Sequence, residues 1–221
     1  MNLFQATWQW LTDPAHWSGN DGIPTRLGEH LHLSFESVAI GALIALPVGI
    51  VLGHYGRFGN LAINISNVGR AVPSFGILVI AFQIFGLGDL PQILIAFMLG
   101  VVAMIVNTLN GLDRVPPVLL KTGRIMRLTP IDTALRLTLP AAGPYILTGV
   151  KLAVAYAFIG IIGSEFILSR GGIGYEINFA YNNFDNATMY PLIVLILLAS
   201  IAINTVLTRW EKTLLARRGA R

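Results

Sequence analysis

The sequence predicts an all-α, polytopic membrane protein with about five transmembrane helices. Three observations carry that prediction. Only 12% of the residues are charged while 54% are apolar; a soluble domain carries about 25% charged residues, so too little polar surface is left to cover a globule in water. Several windows of bilayer-spanning length hold no charge at all, which is the pattern of transmembrane helices. The mean hydropathy is +0.68. The 221 residues suffice for a handful of spans and one membrane domain, with no room for a further soluble enzyme domain.

Between Glu36 and His54 lie 17 uncharged residues, "SVAIGALIALPVGIVLG", the core of a first span. "FGNLAINISNVG" leads to Arg70, and "AVPSFGILVIAFQIFGLG" then runs uncharged to Asp89, so a second helix over roughly 60–86 is expected to break around Pro73. Leu90 to Leu112 gives 23 uncharged residues and a third span. "YILTGVKLAVAYAFIGIIGSEFIL" makes a fourth and "ATMYPLIVLILLASIAINTVLT" a fifth. Residues 1–30, with three Trp and several turn formers, read as an interfacial segment, because such aromatics favour the headgroup level. That segment lacks a basic n-region and a small-residue cleavage site, so it is not read as a cleaved signal peptide. Residues 31–221 form the membrane domain.

With five spans the termini lie on opposite sides. Arg57, Arg114, Lys121, Arg124, Arg127, Arg136 and the tail residues Arg209, Lys212, Arg217, Arg218 and Arg221 share one side, eleven basic residues against Arg26 and Arg170 on the other. The positive-inside rule therefore puts the C-terminus and the 115–140 loop in the cytoplasm of a multi-pass protein. This segregation explains the net charge of +4 and a pI near 9.7, and no nucleic-acid partner is needed. The chain has no cysteine, which excludes disulfides and Cys-based metal or nucleophile sites.

The longest polar connection is "RVPPVLLKTGRIMRLTPIDTALRLTLP". Lys121, Arg124 and Arg127 recur every three residues, roughly one helical face, with Leu120, Ile125 and Leu128 between them. Pro130 interrupts, Thr129 is placed to cap a second short helix from Ile131, and Leu139-Pro140 is expected to stop that helix before the chain re-enters the membrane. A helix–turn–helix of this kind can present a ridge to a groove on a soluble partner. It can equally lie as a basic helix on anionic lipid.

The stretch ending "LRLTLPAAGP" resembles the cytoplasmic "EAA" loop of permease subunits of binding-protein-dependent ABC importers, whose tail reads roughly I-x-LP-x-A-x-P. The resemblance covers about residues 30 to 215. "GRAVPSFGILVIAFQIFGLG" is similar to the second-span block of such permeases. "YILTGVKLAVAYAFIGIIGSEFILSRGGIGYEI" is similar to the fourth-span block of nitrate, sulfonate and taurine importers. Counting back from Pro140, the family's Glu-Ala-Ala falls on Lys121, Thr122 and Gly123, and its usual Gly falls on Arg127. Both changes add positive charge, so a receiving groove should carry an acidic rim.

The resemblance implies the type I ABC importer (MetI-like) permease fold in a bacterial inner membrane. It implies an ABC ATPase dimer, a second permease subunit in a homo- or heterodimer, a periplasmic or lipid-anchored substrate-binding protein, and surrounding lipid. ATP and Mg would be bound by the ATPase subunit; this chain has no G-x-x-x-x-G-K-[ST] phosphate cradle, and no cofactor or metal of its own is expected. Coupling to the ATPase is expected at Lys121, Thr122, Gly123, Arg124, Arg127, Leu128, Thr129 and Pro130. Closure of the ATPase pair would move this segment and switch the permease pair between inward- and outward-open forms.

Arg70, Pro73, Ser74, Asn107, Tyr156 and Glu165 are candidates for the translocation path or gate. An intramembrane carboxylate is costly to bury unpaired, so Glu165 either serves a gate or is a structural group, wetted or paired with Arg170. Arg70 either attracts an anionic substrate or marks the cytoplasmic end of its span. Asn64, Asn67, Gln83, Asn107, Asn110 and Asn204 suit hydrogen bonds between helices. His30-x-His32 lacks a clear third ligand for a metal.

The cargo implied by the fourth-span block is a small organic or inorganic anion of the nitrate, sulfonate or taurine kind. The alternative is a quaternary-amine osmoprotectant such as glycine betaine, choline or carnitine, because the stretch from "WLTDPAHW" through "GRAVPSFGILVI" is similar to permeases of that group. A non-transport membrane scaffold and an intramembrane enzyme are the remaining rivals. The enzyme would need clustered acids and histidines, whereas the spans offer Glu36 and Glu165 and no expected deep histidine.

Overall fold

The computed structural model describes residues 3–55, 64, 74–168 and 170–217, and among these every regular element is a helix. Helix α1, Leu3–Thr12, and a 3-10 turn, Pro14–Trp17, precede a long α2, Ile23–Tyr55. Then follow α3, Ser74–Phe85, α4, Asp89–Asp113, and the short pair α5, Pro117–Ile125, and α6, Pro130–Thr133. A π turn over Ala134–Thr138 runs into α7, Leu139–Leu168; α8, Ile173–Asn182, and α9, Asn186–Arg217, complete the chain.

Among the described residues four helical stretches are long and apolar enough to cross a bilayer, 23–53, 89–113, 130–167 and 186–214. Gly41 of α2 faces Val101 of α4, Gly49 faces Thr108 and Gly53 faces Leu112, so α2 and α4 run parallel. Helix α3 is apolar but shorter; its 12 residues extend about 18 Å at 1.5 Å per residue, too little to span alone. The expected break at Pro73 lies outside the described residues.

Helix α7 runs antiparallel to α4. Ala153 faces Gly100, Gly149 faces Asn107, and Tyr145 faces Gly111, so small residues on both helices let the backbones approach closely. The core between α2, α4 and α7 is built from Leu33, Val38, Ala45, Ala96, Met104, Ala153, Val154, Ala157, Phe158 and Ile161. Leu78 and Phe82 seat α3 on Ile95 of α4. At one end of the bundle Ile173 and Ile177 of α8 pack on Leu192 of α9, with Trp10 of α1 and Leu27 of α2 around them. This is the far end; the loop end carries residues 114–138 and the C-terminal part of α9.

One helix extends further than its uncharged core and one expected stop is absent. Helix α2 begins at Ile23, well before Glu36 and across position 30, because the charges in its first turns find partners instead of ending the helix. Leu139-Pro140 does not stop the preceding helix: residues 130–168 are helical throughout. Pro140 has no N–H to give Arg136, and the helix accommodates it by widening to the π turn just before it, where the Leu139 N–H reaches the Ala134 carbonyl.

Candidate functional site

At the loop end, Pro116 and Pro117 start α5, since a proline in the first turn gives up only an N–H that would be unpaired anyway. The helix ends in a Schellman turn: Leu128 N–H bonds Gly123 O at 2.9 Å and Arg127 N–H bonds Arg124 O at 3.0 Å. That turn requires a left-handed residue at Arg127, whose φ is +51°. The family glycine expected at this position is thus the turn's natural occupant, and this chain tolerates arginine there. Arg127 therefore sits beyond α5, and the three-residue spacing marks a helical face only for Lys121 and Arg124.

Thr129 then caps α6. Its Oγ1 accepts the Asp132 N–H at 3.1 Å and donates to Asp132 Oδ2 at 2.6 Å, and Pro130 occupies the first helical position. Gly123 is buried where α5 crosses α6, and a Cβ there would stand 2.9 Å from Thr133 Oγ1 and 3.0 Å from its Cγ2. Leu128 is half-buried behind this crossing and Thr122 Oγ1 bonds Val118 O at 2.9 Å. Outward, Ile125 is 81% and Ile131 71% exposed, with Val118, Met126 and Leu135 beside them. Lys121, Arg124 and Arg127 are exposed along this apolar ridge. The surface is an apolar ridge flanked by cations.

At the far end, Glu165 is neither wetted nor paired with Arg170. It is buried, and its Oε2 lies 3.0 Å from Nδ1 of the fully buried His30. The same Oε2 accepts the Gly174 N–H at 3.0 Å. Next to His30 on α2, Glu29 Oε2 accepts the Gly172 N–H at 2.7 Å. Two carboxylates from other helices thus serve the first turn of α8, whose own N-cap, Gly172, has no side chain to do so. The glycines of "RGGIG" follow from this cradle. Gly172 has φ +83°, and a Cβ on it would overlap the Glu165 carboxyl group; a Cβ on Gly174 would stand 2.7 Å from Glu165 Cβ.

Arg26 ties the rim together, reaching Asp21 Oδ1 at 2.7 Å, Glu176 Oε1 at 2.9 Å and Glu29 Oε2 at 3.2 Å. Burial pushes the Glu176 carboxyl up from its ordinary range, with Arg26 opposing the shift. A cavity of about 420 Å³ opens beside this rim, lined in part by Glu29, His32, Leu33, Asp89, Gln92 and Arg170.

Among the described residues the remaining path candidates do not converge. Asn107 is half-buried on α4, bonding Ala103 O at 2.8 Å and packing on Gly149 of α7. Tyr156 is 37% exposed on α7. From the level of Gly149, Tyr156 is about 10 Å further along α7 and Glu165 about 24 Å. Ser74 opens α3. Arg70 and Pro73 lie outside the described residues.

Comparison with known proteins decides the family. The model of the binding-protein-dependent transport system inner membrane component matches residues 45–219. The chain belongs to that family. It is 29% identical over 89% of its length to the nitrate import permease protein NrtB of Synechococcus elongatus, covering 71% of that protein. It is also 29% identical over 84% of its length to the choline transport system permease protein OpuBB of Bacillus subtilis, covering 85% of it. A chain of the MetNI methionine ABC transporter in an inward-facing form superposes with a TM-score of 0.75 at 22% identity, over 91% of this chain and 98% of that one, and so shares the fold. The protein is an ABC importer permease, a multi-pass transport subunit of the inner membrane.

The permease buries a polar pair that charge-free windows hide. His30 is fully buried at the far end of the first span, where Glu165 receives it. A signal was present: His30, Ser34, Ser37, Gly41 and Ala45 repeat at helical spacing and are all buried, a stripe on which a lone histidine needs a partner.

Proposed function

We infer that the permease imports a small anion of the nitrate, sulfonate or taurine kind, delivered by a binding protein and driven by a separate ATPase. The observation that carries this reading is the similarity to nitrate permeases over nine-tenths of the chain, joined to the fourth-span block. The exposed ridge of α5 and α6 is the contact for the ATPase. Lys121, Thr122, Gly123, Arg124, Arg127, Leu128, Thr129 and Pro130 transmit its closure, and an acidic rim on the ATPase groove complements their charge. The basic residues gathered at the loop end support a cytoplasmic C-terminus. ATP and Mg belong to the ATPase, and the permease works as a pair, either homo- or heterodimeric. Arg70, Pro73, Ser74, Asn107 and Tyr156 contribute to the path, with Arg70 attracting the anion.

A second reading rests on the choline permease relative, whose own length the chain covers more fully: a quaternary-amine osmoprotectant as cargo. Proteoliposomes holding the permease with its ATPase and binding protein separate the two. ATP-dependent uptake of labelled nitrate or taurine supports the first reading. Uptake of choline or betaine in place of the anions overturns it.

A further inference from the structure

We propose that Glu165, held by His30, is a positioning residue that fixes the far-end helix α8, so that the surface it forms responds to the arriving binding protein. Two carboxylates, one from α2 and one from α7, replace the missing N-cap: Glu29 takes Gly172 N–H and Glu165 takes Gly174 N–H. Of the two, only Glu165 is dry, and only it is tied to a second buried side chain, His30. With Glu165 as a carboxylate, which can only accept, the tautomer that fits has His30 Nδ1 donating to it. Phe158 meets the imidazole edge-on, with ring centroids 4.8 Å apart, and walls this pair.

The arrangement is incompletely satisfied. Among the described residues His30 Nε2 and Glu165 Oε1 are buried without a hydrogen-bond partner, and unmade buried bonds are costly. A group placed only to staple helices together would be cheaper as a packed apolar pair. Retention of a buried polar pair here fits a cap that must hold the start of α8 at one register against α2. Beyond it, Ile173 and Ile177 insert between α7 and α9. The cavity beside Glu29 and Gly172 then keeps its wall.

The inference rests on the importer reading for its consequence, though not for its geometry. Because the chain has no cysteine, a thiol introduced into it can report on α8 in the assembled transporter when labelling is read on this subunit alone. Ile173→Cys places the reporter at a fully buried position, and Ala157→Cys is a control buried mid-span. In Glu165→Met or His30→Leu, maleimide labelling at position 173 should rise by about tenfold or more, the effect of losing a hydrogen bond to a charged group on local opening. Position 157 should stay protected. Glu165→Gln and His30→Asn, which keep an acceptor and a donor in place, should preserve protection at 173.

The ratio of binding-protein-stimulated to basal ATPase should fall with Glu165→Met and recover with Glu165→Gln. Unchanged labelling, equal labelling of both reporters, or an unchanged ratio each overturns the proposal. A parent complex that labels as expected yet shows no ATP-driven uptake would instead overturn the importer reading.

Discussion

Lys151 Nζ lies 2.7 Å from Glu211 Oε2 and joins α7 to α9 toward the loop end. Thr148 Oγ1 donates to Glu211 Oε1 at 3.3 Å and Lys151 Nζ donates to Thr208 Oγ1 at 3.4 Å. Both charged side chains are largely covered, so deleting one strands the other. Glu211→Leu alone should cost about 2 kcal/mol, whereas Lys151→Met with Glu211→Leu should lie close to the parent. Thermal midpoints of the purified transporter check this; a double variant less stable than either single one contradicts it.

Gly123 and Thr133 are a matched pair at the crossing of α5 and α6. A methyl at 123 would press on the β-branched Thr133 side chain, which cannot easily turn away within a helix. Gly123→Ala should therefore cost about 1–3 kcal/mol as overpacking, and adding Thr133→Ala should restore most of it. The measurement is the same melting series. A Gly123→Ala single variant as stable as the parent would show that the crossing has room.

The bilayer spans were legible because lipid demands uncharged stretches of fixed length, and the ridge was legible because its prolines and Thr129 punctuate the chain. Two kinds of information were not. Helix ends supported by distant partners escape local reading: Arg26, inside α2, is held by the nearby Asp21 and Glu29 and also by the distant Glu176. The proline at 140 looks like a stop, yet a widened turn preceding it keeps the helix whole. His30 and Glu165 stand 135 positions apart, so the buried stripe around His30 announces that it needs a partner and nothing local says which.

Arg127 holds a left-handed conformation that a side chain disfavours by about 1 kcal/mol. Arg127→Gly should raise the thermal midpoint while leaving the Schellman turn intact. Arg127→Val, β-branched in the same conformation, should lower it. Uptake assays on the glycine variant separate strain from charge: full uptake means that the conformation of this residue matters and its cation does not.

Lys121 and Arg124 remain as the cations that share one helical face beside Ile125. If they meet an acidic groove on the ATPase, reversing both to Glu should set like charges against each other across the contact. The apolar ridge would still be present, so the complex should assemble more weakly and lose transmission of force before it loses ATP hydrolysis. Reconstituted vesicles should then show ATPase activity with uptake reduced by about tenfold, the effect of roughly 1.4 kcal/mol lost from the contact, and the defect should deepen at low salt because screening is weaker there. Acid-to-base changes on the groove rim should restore uptake in the reversed permease. Undiminished uptake in the reversed permease would remove these two residues from the coupling contact and leave the apolar ridge to carry it.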